Sequence, residues 1–190
     1  DHGDNVGARG LWGKSNMYEE SVASPMIAVG PDYPGRVCET PVNLIALSAT
    51  ITDHFGVGLN SPATVKSLRD IANEADQPDR VVFSEYHAAG AVSGAFMLRQ
   101  GRWKYIHYVG FDPELFDLEN DPEEADNLAA DPDHAEILAH MATLLRKICD
   151  PAEVDAQAFA DQDALIASFG GVKAASMVGA AAAEPIPDHD

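Results

Sequence analysis

Residues 95–109 constrain the fold of this 190-residue chain more than any other stretch. Segments 95–99, largely apolar, and 102–109, rich in aromatic and β-branched side chains, flank Gln100-Gly101, which reads as the turn of a β-hairpin. In the second arm Trp103, Tyr105, His107 and Val109 alternate with Lys104, Ile106 and Tyr108, so one face of the hairpin is aromatic. Residues 81–86 and 115–118 add strands on the same criteria, which predicts a small antiparallel sheet. An aromatic sheet face needs a cover. Downstream, Ile137, Leu138, Met141, Leu144, Leu145 and Ile148 recur at helical spacing after Asp131-Pro132, a capping residue and a first-turn proline. This helix is expected to pack across the sheet, with His134 and His140 off its apolar stripe and facing solvent.

The chemistry concentrates elsewhere, in the opening stretch DHGDNVGARGLWGKSNMYEE. Asp1 and His2 set a carboxylate beside an imidazole, Gly3 lets the backbone approach a ligand, and Asp4 adds a second acid. An oxygen-rich site with one imidazole suits calcium, magnesium or manganese better than zinc, which prefers sulfur and several imidazoles. Arg9 and Lys14 follow among Gly7, Gly10 and Gly13, so cationic donors sit on backbone that can come close to a tetrahedral oxyanion. Asp-His-Gly-Asp alone is also a common polar turn, and only its spacing to the later cations favours a site.

Taken together, DHGD, GARGLWGK and MYEES followed by SPMIAVG resemble the metal and sulfate segment of the sulfatase family, in particular its choline-sulfatase-like and arylsulfatase-like bacterial members. The resemblance implies an α/β, alkaline-phosphatase-like core that carries calcium or another divalent metal such as magnesium or manganese, with Asp1 and His2 as two of the ligands. It implies that Lys14 contacts the sulfate and stabilises charge on the bridging oxygen as it leaves. Arg9 is a further substrate-binding candidate, although a core salt bridge or a loop-ordering contact suits both Arg9 and Glu19, and Trp12 and Tyr18 read as packing. His87, in the loop after the strand at residues 81–86, is a candidate for lining the substrate pocket, with a surface loop as the alternative. The run MLRQGRWKYIHY, followed by ELFDLENDPEEADNLA, resembles the small C-terminal sheet of the same family. Its acids Asp117, Glu119, Asp121, Glu123 and Glu124 lack EF-hand spacing and are interrupted by Pro122, so a solvated acidic turn is expected rather than a calcium loop.

Sulfatases use a formylglycine made from Cys or Ser in a C-x-P-x-R type motif. Here Cys38 is followed by Glu-Thr-Pro, and Cys149 by Asp-Pro-Ala with Glu153 where arginine is required. Both read as ordinary thiols. The resemblance therefore implies that this is the C-terminal portion of a longer sulfatase. The nucleophile, the other metal ligands and most of the central sheet would belong to an N-terminal part of the same protein, and this chain alone would be inactive.

Three regions are expected: residues 1–73 as the end of the catalytic core, 74–150 as the small sheet with its packing helix, and 151–190 as a C-terminal extension. In the first, residues 25–29 read as a short buried strand. Thr40 reads as an N-cap with Pro41 at the first helical position, Val42, Ile45, Ala49 and Thr52 along one side, and Gly56 at the end. Ser61-Pro62 repeats the cap for a shorter segment. The extension reads as helical over 156–169 and alanine-rich over 174–183, and the family resemblance suggests that it packs on a neighbouring subunit as a homo-oligomer contact.

A net charge of −19 argues against nucleic acid and anionic membrane surfaces as partners. The longest apolar run is too short for a transmembrane helix. Two distant cysteines give no disulfide framework, which fits a cytoplasmic location, with the periplasm as the alternative if a leader precedes Asp1. The expected substrate is a small-molecule sulfate ester. The competing readings are a phosphonate or phosphate monoester hydrolase of the same superfamily, and a non-catalytic interaction module that uses its acidic surface.

Overall fold

The computed structural model describes residues 2–58, 65–88 and 91–177. In chain order these form the helices α1 (Glu19–Val22), α2 (Leu44–His54) and α3 (Leu68–Asn73), then the strands β1 (Val82–Tyr86), β2 (Ala95–Gln100), β3 (Trp103–Tyr108) and β4 (Glu114–Asp117). The helices α4 (Ala135–Ile148), α5 (Pro151–Ser168) and α6 (Val172–Ala175) complete the order. The strands make one sheet in the order β1-β2-β3-β4, with every neighbouring pair antiparallel. This is the mixed helix-and-strand architecture with the small antiparallel sheet that the alternating pattern predicts.

Register decides what each sheet face meets. Leu98 pairs with Tyr105 and Tyr105 with Leu115, so these side chains share a face with Phe96, and Met141 and Leu145 of α4 close over them. The opposite face carries Ala95, Met97, Ile106 and Phe116, and it is covered by Met17 and Tyr18 from the N-terminal segment. The sheet is thus packed on both sides, by α4 on one and by the loop that carries the candidate chemistry on the other. Gly101 turns the β2–β3 hairpin at φ +57°, a left-handed conformation that glycine adopts without strain.

The 3₁₀ turn Pro132–His134 carries the chain into α4, and Asp131 caps it by accepting from Asp133 N. His134 is partly buried rather than solvent-facing. It lies edge-on to Trp103, with ring centroids 5.7 Å apart, and Nδ1 is 3.0 Å from Asp131 Oδ2. His140 is exposed and meets Gln100 Oε1 at 2.8 Å. Helix α5 starts earlier than the sequence pattern indicates, because Asp150 caps it by accepting from Ala152 N and Glu153 N, and Gly170 and Gly171, both at positive φ, follow its end. Residues 178–190 lie outside the described residues.

The N-terminal region differs from expectation in three places. Residues 25–29 form no strand among the described residues, and Ile27 and Val29 are 86% and 90% exposed. An apolar run becomes a buried strand only where neighbouring strands satisfy its backbone, and this sheet provides none at that position. Helix α2 begins at Leu44 and is capped by Asn43, whose side chain accepts from Ala46 N, while Thr40 Oγ1 accepts instead from Gln77 N at 2.9 Å. Ala46 and Ala49 form its buried side, whereas Ile45 is half exposed. Ser61 and Pro62 lie outside the described residues, and the cap of α3 is Ser67, whose hydroxyl accepts from Asp70 N. Among the described residues no helix is long and apolar enough to cross a membrane.

Candidate functional site

The opening stretch folds as a loop that closes on itself. Gly3 N donates to Ser21 O at 3.0 Å, and a Cβ at position 3 would sit 1.9 Å from Glu20 O, so only glycine lets the ends meet. Asn5 ties the middle of the loop to its ends. Its backbone N–H and its Nδ2 both donate to Gly13 O, at 2.9 and 2.6 Å, and Nδ2 also reaches Ser21 Oγ at 3.2 Å. Asp4 Oδ1 accepts from Val6 N and Gly13 N, at 3.0 and 3.2 Å. Lys14 follows directly on this anchored Gly13 and is exposed, with Val6, Leu11 and Trp12 as exposed apolar neighbours in the loop. Trp12 is 77% exposed in this chain.

The structure brings Lys14 and His2 together: Lys14 Nζ lies against His2 Nε2. His2 Nδ1 lies 2.8 Å from the Gly3 carbonyl, and a carbonyl only accepts, so the hydrogen-bond network assigns the ring proton to Nδ1 and turns the Nε2 lone pair to Lys14. A metal at Nε2 would compete with Lys14 for that same lone pair. Asp1 lies outside the described residues. Asp4, the next carboxylate, is occupied by two backbone N–H groups, and among the described residues no three His, Cys, Asp or Glu side chains gather as a metal would need. The described residues do not by themselves fit a divalent cation.

Arg9 is turned inward under the loop. Its NH1 donates to Glu20 Oε2 at 2.7 Å, NH2 donates to Glu123 O and lies 3.5 Å from Glu124 Oε2, and the guanidinium stacks over Tyr18, 4.2 Å from the ring centre. Burial works against the Glu20 charge, yet the hydrogen bonds from Arg9 and from the backbone hold its carboxyl below the usual value. Burial, followed by the bond to Glu114, pushes the Tyr18 phenol up, so it stays a neutral donor at 2.8 Å from Glu114 Oε1. Arg9 thus makes ion pairs with Glu20 and Glu124 that order the loop.

Beneath Arg9 lies a charged cluster that the sequence reading does not anticipate. Lys104 of β3 is fully buried, with Nζ 2.8 Å from Glu19 Oε1 and 2.7 Å from Glu124 Oε1. Glu124 Oε2 accepts from Glu19 N at 2.6 Å. Burial raises the Glu124 carboxyl, and the Lys104 charge opposes that rise. The acidic turn is accordingly only partly solvated: Glu124 and Asp117 are buried, and Asp117 is paired with Arg102. The available signal was the alternation itself. Lys104 shares its phase with Ile106, and a sheet with apolar residues in both phases has two covered faces.

His87 is not brought to Lys14. Its ring packs edge-on against Phe96, 5.3 Å between centroids, and Phe96 belongs to the α4-covered face. Gln162 of α5 donates to the His87 carbonyl at 2.9 Å. The loop with Lys14 covers the opposite face.

Residues 7–150 match the protein family described as N-sulphoglucosamine sulphohydrolase, C-terminal. The choline-sulfatase of Rhizobium meliloti (strain 1021) is 38% identical over 136 residues, which cover 70% of this chain and 26% of the relative. Arylsulfatase K of Mus musculus is 30% identical over 168 residues, 82% of this chain and 30% of the relative. The solved structure of a 2-O GAG sulfatase superposes with a TM-score of 0.67 at 28% identity, over 77% of this chain and 34% of that one. The chain thus spans about a third or less of the proteins it is similar to. With the small antiparallel sheet and its packing helix in common with sulfatases of alkaline-phosphatase-like fold, the chain belongs to the sulfatase family, through the C-terminal domain of that family.

Proposed function

We propose that this chain forms the C-terminal part of an enzyme that hydrolyses an organic sulfate ester. One observation carries the reading. In a sulfatase-family chain, an exposed lysine stands on the rim of a loop whose backbone is fixed from below by Asn5 and Arg9 and whose ammonium meets His2. An ammonium held this way donates to a sulfate oxygen and stabilises the charge that develops on the bridging oxygen as the S–O bond breaks. Arg9 orders the loop. The relatives are about three times as long as this chain, so the activity is that of a polypeptide containing the remainder. In this reading a formylglycine nucleophile belongs to that N-terminal remainder. A divalent metal such as calcium, magnesium or manganese takes its ligands there, with Asp1 as the one candidate left in this chain, because His2 Nε2 is turned to Lys14. The exposed Phe159 and Leu165 of α5, with Phe169 after it, support packing of the extension on a second copy.

The test is turnover of 4-nitrophenyl sulfate, phosphate and phenylphosphonate esters by the full-length polypeptide. Sulfate ester hydrolysis is expected to be the fastest, and Lys14→Ala is expected to lower kcat by about 10²- to 10³-fold. Faster turnover of the phosphorus esters overturns the substrate class. Unchanged turnover in Lys14→Ala removes Lys14 from the site.

A further inference from the structure

We propose that Lys104, acting through Glu19 and Glu124, is a positioning residue for Lys14. The inference rests on the reading of Lys14 given above and adds what sets its place. Lys104 is fully buried on the sheet face that carries Ala95, Met97, Ile106 and Phe116, where its cross-strand partner Arg99 lies 3.8 Å from Glu19. A leucine or methionine would pack there without the desolvation cost of an ammonium, and a buried ion pair is weak grounds for stability. The charge instead selects two partners far away in sequence, and both belong to the loop's attachment. Glu19 opens α1 and Glu124 stands in the acidic turn.

Glu124 is the node. It adopts φ +51°, a left-handed conformation that disfavours any side chain but glycine's, and in that posture its groups meet three partners. Oε1 faces Lys104, Oε2 accepts from Glu19 N and lies 3.5 Å from Arg9 NH2, and the main-chain oxygen faces Arg9 Nε at 3.5 Å. From Glu19 the connection continues within α1 to Ser21, whose carbonyl accepts from Gly3 and whose hydroxyl accepts from Asn5. Asn5 holds Gly13 O, and Lys14 is next in the chain. Every link is a contact between neighbouring groups, and the buried ammonium is its fixed end. Without it, the buried Glu124 and the part-exposed Glu19 would face each other with only the more distant Arg9 and Arg99, at 3.5 and 3.8 Å, to offset their repulsion.

A physical chain of contacts is not yet coupling, so the test measures coupling directly. In the full-length polypeptide, Lys104→Met is expected to lower kcat by about 10²-fold with little change in KM, the scale of a misplaced group. In the Lys14→Ala background the same substitution is expected to cost nothing further. Equal fold losses in both backgrounds would show a role confined to stability and overturn the proposal. Lys104→Arg, which keeps the charge, is expected to recover part of the loss, and Lys104→Arg as inactive as Lys104→Met counts against the proposal.

Hydrogen exchange gives a readout independent of activity. Amides of residues 3–21 are expected to lose at least about tenfold of their protection in Lys104→Met while those of β2–β4 keep theirs. Loss of protection across the whole sheet would overturn the proposal. If Lys14→Ala leaves turnover intact, the sulfate reading of Lys14 fails by itself, and exchange at residues 3–21 still decides whether Lys104 sets the loop. Glu124→Gln keeps the shape of the node without its charge and serves the same comparison should Lys104→Met fold poorly.

Discussion

Two lysines in this chain have opposite fates, and burial separates them. Lys14 is exposed on a loop rim, whereas Lys104 is 0% exposed between two carboxylates. Composition counts both as positive charges against a net −19, but of the two only Lys14 is open to solvent. The same logic sets the behaviour of His107. It packs against Phe96 and Tyr105, with ring centroids 6.4 Å away in each case, under α4. Burial, and then the nearby Arg146 charge, lower its pKa. The sign follows directly. Below about 6.5 the unfolded chain protonates this imidazole while the folded chain does not, so stability falls as pH drops from that value to the lowered folded pKa. The urea midpoint of the wild-type protein is expected to decline through that window more steeply than that of His107→Phe. Parallel profiles would show that His107 protonates equally in both states.

At the level of elements, what was legible in the sequence is what repeats. Strand β3 follows from a period of two residues, α4 from one of 3.6, and the turn at Gly101 from the hairpin spacing. Residues 25–29 show the limit: their composition is strand-like, but a strand is a property of a pair, and no neighbour is present among the described residues. Thr40 shows another, since its hydroxyl serves Gln77 across the fold while Asn43, three residues on, caps α2. The candidate site was legible at Lys14 and His2 through local spacing. Glu124 and Lys104 were not, because their roles depend on contacts as far apart as 115 residues, the separation of Arg9 and Glu124, and Asn5 was not, because its role depends on how the loop closes on Ser21, 16 residues on. Helix α4 offers a clean test of the packing. Met141 is fully buried against the sheet, whereas Ile148, in the same apolar stripe, is half exposed. Met141→Ala is expected to cost about 2–5 kcal/mol of unfolding free energy, the range for emptying a packed core position. Ile148→Ala should cost well under half of that, and equal losses would mean that α4 does not sit on the sheet as described.

For the molecule as a whole, apolar exposure is concentrated in the N-terminal region. Val6, Trp12, Ile27, Val29, Val37, Phe55 and Val57 are all exposed, while the sheet between α4 and the loop is well packed. Exposed apolar surface of this extent marks a face that something else covers. The relatives, about three times as long, supply the reason to expect that cover from the rest of a longer polypeptide. The two tryptophans make the idea measurable, because they sit on opposite sides of the distinction. Trp12 is 77% exposed in the loop, and Trp103 packs with the sheet core beside His134. In a Trp103→Phe variant the only remaining indole is Trp12. Its emission in the 190-residue chain is expected to be red-shifted and readily quenched by acrylamide, and in the full-length polypeptide blue-shifted and several-fold less quenched. Trp103, observed alone in Trp12→Phe, should be protected equally in both. If Trp12 is quenched to the same degree in the longer polypeptide, its rim stays open to solvent there, and the apolar neighbours of Lys14 would then be free to meet the organic half of the substrate.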